Sequence, residues 1–272
     1  MIGTAIRVAW ALTRLDTCVL VFSSVFLPVL YHSHDLYFSL SHSAPILAIC
    51  MCGFVINDLS DIERDRENHP ERPLPNNLVS EVAASVVYFC LLTISLLSIK
   101  IYVDQSNVYL YVLLLVCLIN YNYVVSYIPV LKNVYVALTG LIPIFILSSL
   151  INGGSNIYEI ALSLFLFLLA RELLMDVQDS SGDDRTAANI LGLKSAENIA
   201  FVLKVLASAS LFLAVRDAFD VILTAFVLLL DIAFIVLWRN SAYRRAIIHL
   251  MKVQLVVGIY FLVANAETLR SS

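Results

Sequence analysis

The sequence predicts an all-helical protein that is embedded in a membrane, and three observations support this fold class. Of the 272 residues, 60% are hydrophobic and 14% are charged, whereas about a quarter of the residues in a soluble domain are usually charged. The apolar residues form long runs, close to the roughly 20 residues that an α-helix needs to cross a bilayer. Short polar stretches with turn residues separate these runs. We therefore expect about nine transmembrane helices.

The apolar runs follow an N-terminal segment of a different character. Residues 1–15 are weakly amphipathic and carry Arg7, Trp10 and Arg14, which predicts an interfacial helix that lies along the membrane surface. The nine spans are expected at approximately 16–31, 43–57, 80–100, 107–128, 133–151, 157–176, 196–215, 219–238 and 247–265. Together these elements make residues 1–272 a single membrane domain.

Basic residues predict the orientation of the chain in the membrane. With nine spans, one face of the membrane receives twelve lysines and arginines and the other receives three. The richer set is Arg7, Arg14, Arg64, Arg66, Arg72, Lys132, Arg185, Lys194, Arg239, Arg244, Arg245 and Lys252. The poorer set is Lys100, Arg216 and Arg270. The positive-inside rule places the richer face in the cytoplasm, so the N-terminus is expected there and the C-terminus on the opposite side.

A densely charged stretch, INDLSDIERDRENHPERPLP at 56–75, begins where the second span ends. Asn57, Asp61 and Asp65 are spaced i, i+4 and i+8, so a helix would place them on one face. By the same spacing Asp58 lies off that face. Acidic side chains beside a hydrocarbon core are unfavourable unless they have a partner, so this stretch indicates a functional site.

A second acidic stretch, RELLMDVQDSSGDD at 171–184, lies at the end of the sixth span. Asp176, Asp179 and Asp183 again share one helical face, and Glu172 precedes them by one turn. Both stretches are expected at the cytoplasmic surface. Two carboxylate faces repel each other unless a hard divalent cation lies between them, and Mg²⁺ is commonly held by carboxylates together with phosphate oxygens. The two stretches therefore predict Mg²⁺ ions that bridge a diphosphate.

The two stretches resemble the motifs of the UbiA family of membrane-embedded prenyltransferases. The family motif Asn-Asp-x-x-Asp-x-x-x-Asp matches residues 57–65, and the family's Asn-x-Pro-x-Arg-Pro run matches residues 68–73. The second family motif, Arg-Glu-x-x-x-Asp-x-x-Asp-x-x-Gly-Asp, matches residues 171–183. Between them, the segment 127–133 is similar to the family's Tyr-x-x-x-x-Lys segment and its following Asn. The resemblance covers nearly the whole chain.

The resemblance implies the UbiA prenyltransferase fold, a bundle of nine helices around a central cavity, and it implies a role for each motif residue. The implied metal ligands are Asn57, Asp61, Asp65, Asp176, Asp179 and Asp183. The implied diphosphate-binding residues are Arg72, Lys132, Asn133, Tyr127, Arg64 and Arg171. The implied catalytic set is Asp61, Asp65, Asp176, Asp179 and Lys132, with Asp58 and Glu172 in support.

The implied activity is an Mg²⁺-dependent transfer of a prenyl group from a prenyl diphosphate to a lipophilic or aromatic acceptor. The active site is expected on the cytoplasmic side, with membrane lipid around the protein. The dispersed basic residues are explained by anionic lipid, so no nucleic-acid partner is expected.

Two alternatives stay open. A UbiA-type terpene cyclase would act on a prenyl diphosphate without an acceptor, and the loops after Lys132 and Asp183, shorter than the family pattern, favour it. A transporter or another non-enzymatic protein on the same scaffold is the other alternative, although a transporter typically places isolated acids near the middle of a span.

Overall fold

The protein is described by a computed structural model, which covers residues 2–123, 128–151, 157–180, 186–214, 218–238, 240, 247–248, 250–251, 254–255 and 258. Within these residues every regular element is helical. The helices are α1 (Ile2–Thr13), α2 (Leu15–Ser33), α3 (Leu36–Ser60), α4 (Ile62–Asn68), α5 (Glu81–Tyr102), α6 (Val108–Tyr123), α7 (Leu131–Thr139), α8 (Ile142–Ile151), α9 (Ile157–Asp179), α10 (Ala187–Leu191), α11 (Leu193–Leu211) and α12 (Ala218–Trp238). A short 3₁₀ turn, Phe212–Ala214, follows α11.

Six stretches of the described chain are long and apolar enough to cross a membrane. They are Leu15–Ser33, Leu36–Ser60, Glu81–Tyr102, Leu131–Ile151, Leu193–Ala214 and Asp220–Trp238. The all-helical membrane class is thereby supported, whereas the expected count of nine is not confirmed. The helix α6 is apolar but has 16 residues, and α9 carries Glu159, Arg171 and Glu172 within its length. Most of the expected span 247–265 lies outside the described residues.

Two of the expected spans have boundaries that differ from those of the observed helices, and each difference has a structural reason. The second begins earlier than expected, because the Asp35 carboxylate caps α3 by accepting from the Phe38 N–H at 3.0 Å. The fifth is divided into α7 and α8. Pro143 stands in the first turn of α8, where its missing N–H removes no helical hydrogen bond.

Residues 1–126 form one compact unit, and α3 is its central helix. It packs against α2, α5 and α6 through buried side chains such as Ile49 and Val55. At Gly53 an added Cβ would lie 3.0 Å from the Leu118 Cβ. A glycine therefore lets α6 approach α3 closely, as small residues do between membrane helices. This packing supports the end of α3, where the first acidic motif begins.

Residues 127–272 form a second compact unit, in which α9 packs against α11 and α7. The face between α9 and α11 is rich in small buried residues, including Ala170, Ala196 and Ala200. The Ser163 hydroxyl donates to the Ala207 carbonyl at 2.7 Å, which requires the two helix backbones to run close together. The helix α9 carries the second acidic motif at its C-terminal end.

Candidate active site

The first acidic motif lies where α3 gives way to α4. Asp61 is the residue between the two helices, with φ −104 and ψ 11. The path of the backbone stays nearly helical, because the Asp61 N–H donates to the Asn57 carbonyl at 3.0 Å and the Asp65 N–H donates to the Asp61 carbonyl at 2.8 Å. The Asn57 amide also donates to the Asp61 Oδ2 at 3.2 Å. The one-turn spacing predicted for these three residues is kept across the break.

Asp65 is buried against the guanidinium of Arg72. The two carboxylate oxygens of Asp65 accept from the Arg72 Nη1 at 2.7 and 2.6 Å. The proline-rich loop after α4 turns the chain back to make this contact, with the Arg72 N–H donating to the His69 carbonyl at 3.0 Å and the Leu78 N–H donating to the Pro73 carbonyl at 2.9 Å. Residues that the sequence predicted as a metal ligand and a diphosphate-binding group are thus direct partners.

Asp58 lies beside the same arginine and also contacts Arg14. The Arg14 Nη2 donates to the Asp58 Oδ1 at 2.6 Å, and the Arg72 Nη1 lies 3.9 Å from that oxygen. We expected Asp58 to lie off the face that carries Asp65, but the two residues are seven positions apart, close to two helical turns, and one guanidinium lies near both. Sequence reasoning did not include Arg14 among the site residues. It is 44 positions from Asp58, and its membership of the basic set that is predicted to be cytoplasmic is the one signal in the sequence that could have indicated it.

Asp61 has a looser electrostatic environment than Asp65. The Arg64 Nη1 lies 3.5 Å from its Oδ1, longer than the Arg72 contacts to Asp65. Burial raises the pKa of the Asp61 carboxyl, and the neighbouring Arg64 guanidinium opposes that shift. A divalent cation beside Asp61 would act like Arg64: it would stabilise the ionised carboxylate and so lower the pKa of the carboxyl.

The second motif is organised around Asp176, near the end of α9. The Lys132 Nζ lies 2.9 Å from its Oδ1, and the Asn133 amide donates to its Oδ2 at 2.9 Å. The Ala187 N–H, at the start of α10, donates to the same Oδ2 at 2.8 Å. Lys132 and Asn133 are neighbours at the start of α7, so a single helix end supplies two of the three contacts. Three predicted site residues are therefore brought together within one unit.

The remaining candidates of the second motif are only partly described. The Arg171 Nη1 donates to the Glu172 Oε1 at 2.7 Å, which pairs two adjacent residues of α9. Asp179 ends α9. Asp183 and Tyr127 lie outside the described residues, so their predicted roles in metal and diphosphate binding stay predictions.

The donor set fits a hard divalent cation in its chemistry. Asn57 and the aspartates of both motifs offer oxygen atoms, the ligand type that Mg²⁺ prefers. Within the described residues, no three His, Cys, Asp or Glu side chains are gathered closely enough to hold a metal ion. Asp65 and Asp176 contact basic side chains instead. To act as a metal ligand, each of these two carboxylates must therefore either release its basic partner when the metal binds or contact the basic side chain and the metal at the same time.

Comparison with known sequences identifies close counterparts of this chain. It is 28% identical over 279 residues to the digeranylgeranylglyceryl phosphate synthase of Thermococcus kodakarensis, an alignment that covers 96% of this chain and 90% of that protein. It is 30% identical over 171 residues to the synthase of the same name from Methanococcus aeolicus. That second alignment spans 58% of this chain and 57% of the relative.

Solved structures share the fold at low sequence identity. A structure of digeranylgeranylglyceryl phosphate synthase superimposes with a TM-score of 0.67 at 22% identity, covering 97% of this chain and 99% of the other. A UbiA homologue from Archaeoglobus fulgidus bound to GPP and Mg²⁺ superimposes with a TM-score of 0.69 at 14% identity, covering 97% and 100%. These likenesses show the fold.

The family assignment agrees with the fold and with the motifs. The model of the UbiA prenyltransferase family matches residues 18–248, which is most of the chain. Together with the six apolar helices of the described residues, this match identifies an integral membrane protein and confirms the expectation of a prenyl-transferring enzyme. The chain belongs to the UbiA prenyltransferase family.

Proposed function

We propose that this protein is an Mg²⁺-dependent prenyltransferase that ionises a prenyl diphosphate and transfers the isoprenoid chain to a lipophilic acceptor. The observation that carries the proposal is that a basic side chain lies on a buried carboxylate at each acidic motif, Arg72 on Asp65 and Lys132 on Asp176. Each carboxylate holds its basic side chain in place before any substrate binds. Guanidinium and ammonium groups fixed in this way are suited to binding an anion as highly charged as a diphosphate.

The basic residues keep donor capacity for a substrate. Arg72 contacts Asp65 through Nη1, and a guanidinium has five N–H donors, whereas the ammonium of Lys132 has three. The side chain of Arg72 is 25% exposed and that of Lys132 is 10% exposed. Both are therefore expected to donate to phosphate oxygens while their carboxylate partners fix their positions. Asn133 holds Asp176 in the orientation that Lys132 needs.

The proposed metal ligands are oxygen donors of the two motifs. They are Asn57, Asp61, Asp65, Asp176, Asp179 and Asp183. Bound Mg²⁺ would neutralise the charge that the leaving diphosphate gains as the allylic C–O bond breaks. Arg64, Arg171 and Tyr127 are proposed as further diphosphate-binding residues, with Asp58 and Glu172 in support of the first and second motif.

The similar proteins suggest which substrates to test first. The relatives are named for digeranylgeranylglyceryl phosphate, a product with two geranylgeranyl chains on one glyceryl phosphate. The Archaeoglobus fulgidus homologue is bound to GPP and Mg²⁺. We therefore propose geranylgeranyl diphosphate as the first donor to test and a glyceryl phosphate that already carries one prenyl chain as the first acceptor. An aromatic acceptor is the second choice.

The test combines purified protein in lipid nanodiscs, Mg²⁺ and geranylgeranyl diphosphate, with and without geranylgeranylglyceryl phosphate. A transferase must position two reactants, so we expect rapid diphosphate release only when the acceptor is present, together with a product of the summed mass. C10 and C15 diphosphates give the chain-length preference, and an aromatic acceptor gives the acceptor class.

Two outcomes would replace the proposal. Rapid formation of a cyclic hydrocarbon or alcohol without any acceptor would make the protein a cyclase. No turnover of any prenyl diphosphate, even with a total lipid extract as the source of acceptors, would favour a non-enzymatic role on the same scaffold.

A further inference from the structure

Arg14 connects α1 to α2 in an unusual backbone conformation. Its φ of 46 and ψ of 49 lie in the left-handed region, which is unfavourable for a residue with a Cβ. Hydrogen bonds hold the junction in place, since the N–H groups of Thr17 and Cys18 donate to the Arg14 carbonyl at 2.9 and 3.1 Å. Thr13 and Cys18 on either side are buried. The backbone thus directs the Arg14 side chain in a fixed way.

The side chain of Arg14 lies on one turn of α3. Its guanidinium carbon is 4.9 Å from the centroid of the Phe54 ring, a favourable position for a cation over an aromatic face. Its Nη2 donates to the Asp58 Oδ1 at 2.6 Å. The Asp58 side chain is 3% exposed, so Arg14 is the near counter-charge of a carboxylate that is withdrawn from solvent. A buried carboxylate that loses such a partner is strongly unfavourable.

The contact between Arg14 and Asp58 also affects Arg72, because two buried carboxylates lie near the guanidinium of Arg72. Its Nη1 is 2.6 Å from the Asp65 Oδ2 and 3.9 Å from the Asp58 Oδ1. While Arg14 neutralises Asp58, Arg72 stays in close contact with Asp65. Without Arg14, Asp58 would attract the guanidinium of Arg72 from a short distance, and charges interact strongly where water is excluded.

We propose that Arg14 is a positioning residue of the first acidic motif: by neutralising Asp58 it keeps Arg72 on Asp65, in the position from which Arg72 binds the diphosphate. This inference rests on the proposed function, because it assigns Arg72 to the substrate. Arg14 acts through other side chains and is not itself a catalytic residue. The proposal also makes the α1–α2 junction part of the active-site architecture.

The test measures binding as well as turnover. In the presence of Mg²⁺, we expect Arg14→Gln to raise the dissociation constant for geranylgeranyl diphosphate by roughly tenfold or more, a typical loss for a residue that orients a ligand-binding group. KM for the diphosphate should rise by a similar factor, with a smaller change in kcat. Arg14→Lys should recover part of the affinity. The exposed Arg7, on α1, provides a matched control as Arg7→Gln.

A second substitution separates positioning from a purely structural role. In Arg14→Gln/Asp58→Asn no charged Asp58 competes for Arg72, so the double variant should bind the diphosphate more tightly than Arg14→Gln. If Arg14 matters only for folding, Arg14→Gln lowers the yield or the melting temperature while the folded fraction binds normally, and the inference is overturned. It is also overturned if Asp58→Asn fails to improve binding in the Arg14→Gln background.

The inference and the proposed function fail in different ways. If the wild-type protein binds no prenyl diphosphate, the proposed function fails and the role of Arg14 falls with it. If the wild-type protein binds and transfers, and Arg14→Gln equals Arg7→Gln in both assays, only the inference fails.

Discussion

At the scale of single residues, the buried acids of the motifs hold basic side chains. Asp65 accepts from Arg72, and Asp176 lies against Lys132. A buried carboxylate needs such a partner because isolated burial of its charge is very unfavourable. The same acids are the proposed metal ligands. If the proposed function is correct, substitution of one of them removes a metal contact and also frees the basic side chain that would bind the diphosphate.

Asp65→Asn tests this double role with little change in volume. We expect the loss of charge to lower turnover by roughly 100-fold or more, comparable to the loss of one preorganised group that stabilises developing charge. Glu63→Gln is the control, because Glu63 is on the same helix and its side chain is 85% exposed. The measurement is the rate of diphosphate release as a function of Mg²⁺ concentration.

Chelation should reproduce the effect in the wild-type protein. EDTA is expected to abolish turnover, and added Mg²⁺ to restore it. Full activity of Asp65→Asn, or activity that is indifferent to EDTA, would contradict the assignment of the first motif to a metal.

The sequence predicts the acids and Arg72 as site residues, which stays a prediction, and the structure adds how these side chains pair. Their spacing and their place at a helix end were sufficient to single out Asp61, Asp65 and Asp176. The contact of Arg14 with Asp58 joins positions far apart in the chain, and the contact of the Ala187 N–H with Asp176 involves a backbone group. Neither contact produces a recognisable pattern in the local sequence, because each depends on how separate helices pack against one another.

At the scale of helices, a buried polar network joins α11 to α12. The Lys204 ammonium donates to Asp231 and to Gln254, and the Ser208 hydroxyl donates to the other oxygen of Asp231. The Gln254 amide donates to Asp231 at 2.6 Å. The Lys204 Nζ also lies 4.8 Å from the centroid of the Phe234 ring. This lysine lies within an apolar span and is paired because an unpaired charge at that place is costly.

We expect the network to determine the stability of the α11–α12 pair. Lys204→Met leaves Asp231 buried without its cation, which should destabilise the protein by roughly 3–5 kcal/mol. Lys204→Met/Asp231→Leu removes both charges and should recover most of the loss. Lys194→Met, at an exposed position on the same helix, should change little. The measurement is thermal unfolding in detergent. A double variant whose loss is the sum of the two single losses would contradict the pairing.

Helix positions were predictable where a long, mostly apolar run is bounded by polar residues. The expected spans 80–100 and 219–238 correspond to α5 and α12 within about two residues. The start of α3 was missed because Ser39, His42 and Ser43 look like loop residues. All three are buried in the structure, and Ser39 and His42 each bond to the backbone carbonyl four positions earlier, those of Asp35 and Phe38. Polar side chains satisfied by their own helix do not end it.

At the scale of the whole molecule, the fold and the charge distribution together predict how the protein is oriented in the membrane. In the unit of residues 1–126, the His42 Nε2 lies 3.7 Å from the Asp104 Oδ2, and the Tyr111 hydroxyl donates to the His42 carbonyl at 2.8 Å. The start of α3 and the turn after α5 therefore lie at one end of this unit. The first acidic motif follows the opposite end of α3. The unit has two distinct ends, and the basic residues Arg64, Arg66 and Arg72 belong to the end with the motif.

The last prediction is that the end with the acidic motif faces the cytoplasm. The positive-inside rule supports this orientation because Arg64, Arg66 and Arg72 all lie at that end of the unit. Single cysteines in a background without the five native cysteines test it: Arg66→Cys and Lys194→Cys should react with a membrane-impermeant maleimide only from the cytoplasmic side, and Asp104→Cys only from the other. The side chains of Arg66 and Asp104 are 51% and 72% exposed, so both sites are reachable. Labelling of Arg66→Cys and Asp104→Cys from the same side would contradict the span between them. Labelling of Arg66→Cys from outside would invert the orientation and move the proposed diphosphate site to the opposite face of the membrane.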